Sequence, residues 1–189
     1  MELLKPSAEG ISRAVEVLRG GGVVAFPTDT VYGLAALTSD GVERVYALKG
    51  RERGKPLVLM GADWEALSGR VKAGEGALGL IRGFWPGPLT LVLEGQAGGA
   101  SVGVRVPDHS VALELLRASG PLWTTSANRS GEADAMSADE VGLRLPGVDA
   151  VIDGGRAPGG TPSTVVDASG DAPKILRAGA IAPDQLNWT

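Results

Sequence analysis

Two groups of side chains in the stretch from Gly20 to Lys55 have the chemistry of a binding site. Thr28, Asp29, Thr30 and Tyr32 crowd just past the apolar run Val23–Phe26, and α/β sheets hold their ligands in crevices beyond strand ends. Further on, Lys49, Arg51, Arg53 and Lys55 occupy every second position, so an extended backbone would turn all four to one side. Such a row attracts phosphate, and arginine's planar fork grips phosphate oxygens in pairs. Together the two groups suggest a small polar substrate held beside an anionic one. The plainer alternatives are threonine hydroxyls that satisfy turn backbone and a solvated charged face. The row's position, between a helix end and a strand entry where backbone is fixed, favours function. Downstream, Arg105 alternates with Val102, Val104 and Val106, and Ser126 and Asn128 follow a short apolar strand. Their plain readings are an exposed strand residue and a polar turn.

Periodicity supplies the elements that must position these groups. Ser7 is placed to cap a helix whose Ile11, Ala14, Val15 and Leu18 share a face before Gly20–Gly22 end it. Asp40 is expected to cap a second helix, carrying Val42, Val45, Tyr46 and Lys49 on one face and stopped by Gly50. Leu57–Met60 reads as a strand, Asp63 as the cap of a short helix through Leu67, and Ala77, Leu78, Ile81 and Phe84 as one helix face. Leu89–Leu93 and Val102–Val106 read as strands, with a glycine-rich loop from Gly95 between them. Ser110 is expected to cap the helix of Val111, Ala112, Leu115 and Leu116, and Ser137 with Glu140 to form a capping box for a helix through Leu145. Leu122–Thr125, Val148–Ile152, Thr164–Asp167 and Lys174–Arg177 complete the strands, with the loop GGRAPGGTP before Ser163 as a candidate cover. Some connections are too brief for parallel crossovers, so a mixed sheet with helices packed on it is expected.

Composition narrows the chemistry. The chain has 189 residues, 43% of them hydrophobic, enough for one sizeable core, and a single domain over 1–189 is expected. With no cysteine and one histidine, His109, disulfides, thiolate zinc sites, cysteine nucleophiles and histidine metal clusters are excluded. His109 is expected to pack or cap near Pro107 and Asp108. A net charge of −4 argues against a surface that is one nucleic-acid footprint. The N-terminus MELLKPSAEG lacks the charged and apolar regions of a leader, and no apolar run is long enough to span a bilayer, so a cytoplasmic, membrane-free protein is expected. Two nucleotide motifs are decoys. Gly74, Gly76 and Gly79 fit G-x-G-x-x-G without an apolar strand before them, and Gly50–Lys55 is too short for a phosphate loop and continues with Pro56.

Separated motifs in order resemble one family. PTDTVYGL from Pro27, KGR from Lys49, KPL from Lys55, VGVRVPDH from Val102, SAN from Ser126, STVVD from Ser163 and ILRAG from Ile175 look like the signature of the YrdC-like threonylcarbamoyl-adenylate synthases. The resemblance implies an α+β fold, a three-layer α/β/α arrangement with a twisted mixed β-sheet around an open cavity. It implies catalytic and ATP-binding roles for Lys49 and Arg51, and ATP contacts at Lys55, Ser101, Ser126, Asn128 and Arg177, with Thr90 a weaker candidate. Thr28, Thr30, Tyr32, Met60, Arg105, Thr124 and Ser163 correspond to the threonine pocket, Arg105 as the partner of the carboxylate. A further family position falls near Asp134 and Ser137. Members often carry histidine where Met60 stands.

The implied reaction joins L-threonine, bicarbonate or carbon dioxide, and ATP into threonylcarbamoyl-adenylate and pyrophosphate, with Mg2+ accompanying ATP and no metal held by the protein. The product would pass to proteins that modify adenosine in tRNA, with tRNA or RNA contact as a further expectation. Longer members append a C-terminal domain, so a chain stopping at Thr189 is expected to be the short form. Two other readings stay open. One is a module that binds double-stranded RNA or tRNA without chemistry; the other is a relative that adenylates a different carbamate.

Overall fold

The computed structural model describes residues 1–170 and 172–186. The first half of the chain runs β1 (Glu2–Leu4), α1 (Ala8–Arg19), β2 (Val24–Phe26), β3 (Gly33–Ala36), α2 (Ser39–Lys49), β4 (Val58–Met60), α3 (Trp64–Ser68), β5 (Val71–Lys72) and α4 (Glu75–Phe84). The second half runs β6 (Leu89–Gly95), β7 (Val102–Arg105), α5 (Ser110–Ser119), β8 (Leu122–Ser126), α6 (Ala138–Arg144), β9 (Ala150–Ile152), β10 (Thr164–Asp167) and β11 (Lys174–Arg177). The strands form one mixed sheet in the order β1-β9-β2-β3-β8-β4-β7-β6-β10-β11, with β5 paired to β6 off that path. No helix among the described residues is long and apolar enough to cross a membrane.

Strand alternation distributes the core. Val24 and Phe26 pack with Ile11, Ala14, Leu18, Leu115 and Leu116, beneath α1 and α5. Ala25, Leu34 and Ala36 point the other way, toward Val45 of α2 and Val141 of α6. Helices therefore cover both faces, giving the three-layer α+β arrangement expected above. At the far end Leu89, Leu91, Leu93 and Val104 pack against α3 and α4 through Leu67, Ala77, Leu80 and Ile81. The opposite parity there, Thr90 on β6 and Gly103 and Arg105 on β7, continues the face that α1 and α5 cover elsewhere. Gly103 keeps that surface low, since a Cβ would sit between Val58 Cγ2 and Thr90 Cγ2 at 3.5 and 3.7 Å. Past the reach of α1 and α5, this face becomes the floor of a cavity.

Several local expectations need correction. Strands β1, β3 and β5 were not anticipated; β3 exists because it pairs antiparallel with both β2 and β8, and β5 is a short antiparallel edge on β6. Thr38, not Asp40, caps α2, its hydroxyl accepting from Gly41 N. Ser110 is the first residue of α5 and His109 holds the cap position, without a side-chain bond. Ser137 caps α6, but Glu140 returns to Met136 N instead of closing a reciprocal box. The four cations also do not share a side. Lys49 is the last, buried residue of α2, Arg53 is exposed on Glu43 and over the Tyr46 ring, and Lys55 pairs with Glu52 at 3.4 Å. The extended row fails because a helical turn ends inside it, with Gly50 left-handed at φ 57°.

One close approach links the fold to the cavity. A Cβ on Gly179 would meet Pro162 O and Thr164 N, both at 2.4 Å, so only glycine lets the chain after β11 lie against the Ser163 backbone. Gly179→Ala should lower stability by about 1–3 kcal/mol, the usual cost of overpacking, read as an earlier urea midpoint. An unchanged midpoint would contradict this packing.

Candidate functional site

The uncovered sheet face and the loops around it enclose a cavity of about 250 Å³, close to the lower end of small-molecule sites (~300–1,000 Å³). Thr28 and Thr30 border it on the loop after β2, Val58 and Met60 on β4, and Thr124 and Ser126 on β8. Thr90, Arg105, Arg51, Ser163 and Arg177 converge on it from β6, β7, the end of α2, the entry to β10 and the end of β11. Asp134 is the one carboxylate lining it. Thr28, Thr30, Thr90 and Thr124 thus face one hollow with Arg51, Arg105 and Arg177.

At one end lies Arg105, only 3% exposed. Its Nε donates to Gly87 O at 3.1 Å, Nη1 to Thr30 Oγ1 at 3.3 Å and Nη2 to Asp29 Oδ1 at 2.5 Å. Burial lowers the guanidinium's pKa while Asp29 raises it, and arginine stays cationic in either case. Thr28 is occupied by its own turn: its hydroxyl donates to Val31 O at 2.6 Å and accepts from Thr30 N and Val31 N. Thr30, 3.0 Å from Thr28 Oγ1, is the hydroxyl that reaches Arg105. Thr124 is likewise engaged, donating to Val58 O at 2.9 Å.

Two further cations line the cavity. Arg51 bends back over its own loop, donating to Lys55 O and Pro56 O at 2.8 and 3.0 Å. Arg177 donates to Ser163 O at 2.8 Å and Ser163 Oγ at 3.2 Å, and Ser163 Oγ lies 2.8 Å from Thr90 Oγ1. Burial lowers the Arg177 pKa and the Asp134 charge opposes it. All of these partners are neutral oxygens, which an incoming anion can displace at little electrostatic cost.

Behind this wall sits Lys49, only 2% exposed. Its Nζ donates to Ser126 O at 2.6 Å, Asn128 O at 2.7 Å and Asn128 Oδ1 at 2.9 Å. Burial, then the Arg51 charge, lowers its pKa to about 8. Three carbonyl-type acceptors can be served only by an ammonium, which has three donors, so the charged form holds at neutral pH. Asn128 is fully used: Oδ1 also accepts from Ser126 Oγ at 2.6 Å, and Nδ2 donates to Arg129 O and Glu132 O.

Not every sequence candidate reaches the cavity. Lys49 and Asn128 stand one layer behind it. Tyr32 lies on the opposite sheet face, fully buried, its hydroxyl donating to Gly155 O at 2.7 Å; burial raises its pKa. With Thr30 O accepting from Gly159 N at 2.9 Å, it straps down the loop 154–163. Lys55 is exposed beside Glu52, and Ser101 is exposed at a separate groove beside Tyr46 and Trp123. Asp29 carried no role in the sequence reading although it stands between two assigned threonines; its spacing from Arg105 is visible only once β2 and β7 are folded.

The Sua5/yciO/yrdC family model, described as telomere recombination, matches residues 16–179. The chain is 41% identical to the threonylcarbamoyl-AMP synthase of Bacillus subtilis over 192 residues, covering 93% of this chain and 55% of that protein. It superposes on P. abyssi Sua5 complexed with L-threonine with a TM-score of 0.88 at 37% identity, over 95% of this chain and 57% of that one. E. coli YciO matches with a TM-score of 0.87 at 30% identity, over 98% of both chains. The chain therefore spans little more than half the length of the B. subtilis and P. abyssi proteins.

The Lys49 arrangement makes a direct prediction. In 15N spectra of lysine side chains, one of them should titrate near pH 8 instead of 10.5. Between those values the unfolded chain holds a proton that the folded protein has shed, so Lys49 favours folding more as pH rises through that window. A full set of lysines titrating above pH 10 would contradict the burial.

Proposed function

The chain belongs to the Sua5/yciO/yrdC family, and from that premise we propose that it is a threonylcarbamoyl-adenylate synthase, using L-threonine, bicarbonate or carbon dioxide, and ATP. The observation that carries this reading is one cavity lined together by Thr30, Arg105, Arg51, Ser126 and Arg177. The reading also treats residues 1–189 as one domain built on one sheet.

The chemistry asks for no protein nucleophile. The neutral amine of threonine adds to carbon dioxide and loses a proton, giving a carbamate; from bicarbonate the same product forms with loss of water. A carbamate oxygen then attacks the α-phosphorus of ATP, the bond to the β-phosphate oxygen breaks, and pyrophosphate leaves. Holding both reactants in one hollow replaces an encounter in solution, and fixed cations offset charge on the phosphorus and the leaving group.

Residue roles follow from placement. Two N–H groups of Arg105 remain beyond its three internal bonds, and these suit the threonine carboxylate, with Thr30 and Met60 beside the side chain. Arg51 is free to swing from carbonyls to phosphate, and Arg177, Ser126, Ser163 and Thr90 border the same space. Lys49 acts through the Ser126–Asn128 turn that it clamps. Tyr32, Lys55 and Ser101 have no direct part in this account. Mg2+ would arrive with ATP: one carboxylate, Asp134, lines the cavity and no cluster of three metal-binding side chains occurs among the described residues, so phosphate oxygens and water would supply most of its ligands. The product, a reactive mixed anhydride, would be consumed by proteins that modify tRNA, and a cytoplasmic setting fits those partners.

Purified protein should release pyrophosphate from ATP only when threonine and bicarbonate are both present. Arg51→Ala should reduce kcat by roughly 10²–10³-fold, the usual loss for a group that stabilises transition-state charge, with an unchanged melting temperature. Pyrophosphate release independent of threonine would defeat the assignment, and full turnover by the variant would remove Arg51 from it.

A further inference from the structure

We propose that Asp29 is a specificity-determining residue that acts as an anion filter: by pairing with Arg105 it leaves the amino-acid end of the cavity electrically neutral, so that end takes a zwitterion and refuses phosphate. The inference deepens the proposed function and rests on it for the identity of the zwitterion.

The cavity has a sorting problem. Its two ends share one space, and the most buried cation bordering that space is Arg105, not Arg51 or Arg177. Electrostatic attraction strengthens as water is excluded, so an uncompensated Arg105 would be the strongest phosphate attractor in the site. A triphosphate drawn there would occupy the place of the amino acid.

The charge arrangement avoids this. Asp29 Oδ1 accepts from Arg105 Nη2 at 2.5 Å, with the two side chains 11% and 4% exposed. Its second oxygen, Oδ2, is buried and has no hydrogen-bond partner among the described residues, so no other donor draws the carboxylate's charge away. Arg51 and Arg177, by contrast, hydrogen-bond only neutral oxygens of Lys55, Pro56 and Ser163, and neither forms an ion pair among the described residues. Uncompensated positive charge therefore rests on Arg51 and, partly offset by Asp134, on Arg177, whose charge still reaches Arg105. Arg105 retains N–H donors but not net charge, which suits a ligand carrying both a carboxylate and an ammonium. A buried arginine needs a counter-charge for stability alone; the added claim is that this counter-charge decides which ligand enters.

The test titrates inorganic pyrophosphate, by calorimetry, into the wild type, Asp29→Asn and Asp29→Glu, with and without saturating L-threonine. Asparagine keeps an acceptor for Arg105 and removes the charge. In the wild type, threonine should leave pyrophosphate affinity unchanged or improve it. In Asp29→Asn, pyrophosphate should bind roughly tenfold more tightly, as expected when a desolvated like charge is removed, and should compete with threonine. Asp29→Glu should restore the wild-type pattern, and adding Arg105→Ala to Asp29→Asn should abolish the gain. Competition in the wild type, unchanged pyrophosphate affinity in Asp29→Asn, or failure of glutamate to restore exclusion would each overturn the filter. The wild-type arm decides even if a variant does not fold. A wild type that binds no threonine would sink the functional reading, while pyrophosphate affinities would still decide the filter.

Discussion

A lysine ammonium withdrawn almost wholly from water is tolerable only if each of its protons has an acceptor, and Lys49 meets that condition with three oxygens of one short turn. This interaction fastens the C-terminal end of α2 to the exit of β8, elements far apart in sequence. Hydrogen bonds to a charged group contribute about 1.5–3 kcal/mol each, so three of them tie the junction together. Two features depend on it. Ser126 is held at the cavity wall, and the left-handed Gly50 that follows Lys49 turns Arg51 toward the mouth.

The same economy of buried charge shapes the opposite end. Arg105 reaches the cavity because strand alternation places it on the face opposite Val104, and it stays there because Asp29, Thr30 and Gly87 hold it from three directions. The two buried cations differ in how they are satisfied. Lys49 is met by neutral carbonyl oxygens and keeps its net charge, whereas Arg105 meets a carboxylate and loses it. The cavity is also lined by side chains of short reach, Val58, Thr90 and Thr124.

Much of this was legible in the sequence, and for physical reasons. The helices α1 and α4 announce themselves because their apolar faces repeat at helical spacing, and Ser7 and Asp63 do cap α1 and α3. Period-two alternation set Arg105 opposite the valines, but its place in a site came from the family resemblance, and the plain reading of an exposed strand residue fails because it is buried. What could not be read depended on tertiary pairing. Strand β3, GLAA, has no strand signature of its own and is made a strand by its neighbours β2 and β8. Tyr32 shares a motif with Thr28 and Thr30 but faces the other side of the sheet. That Lys49 closes a helix at Gly50 was legible, but the row of alternating cations suggested one shared side, whereas Arg53 and Lys55 pair with acids outside the cavity. Asp29 stood in the candidate group, but its pairing with Arg105 was not legible because the partner lies 76 residues away.

The central claim is that one hollow brings an amino acid and a triphosphate into reacting distance, with the cationic end reserved for the phosphates. A crystal structure with L-threonine and a non-hydrolysable ATP analogue tests this most directly. The account predicts the threonine carboxylate on Arg105, the triphosphate against Arg51 and Arg177, and room for a carbamate whose oxygen lies about 3–3.5 Å from the α-phosphorus. Phosphates seated on Arg105, or the two ligands bound in separate hollows, would contradict it.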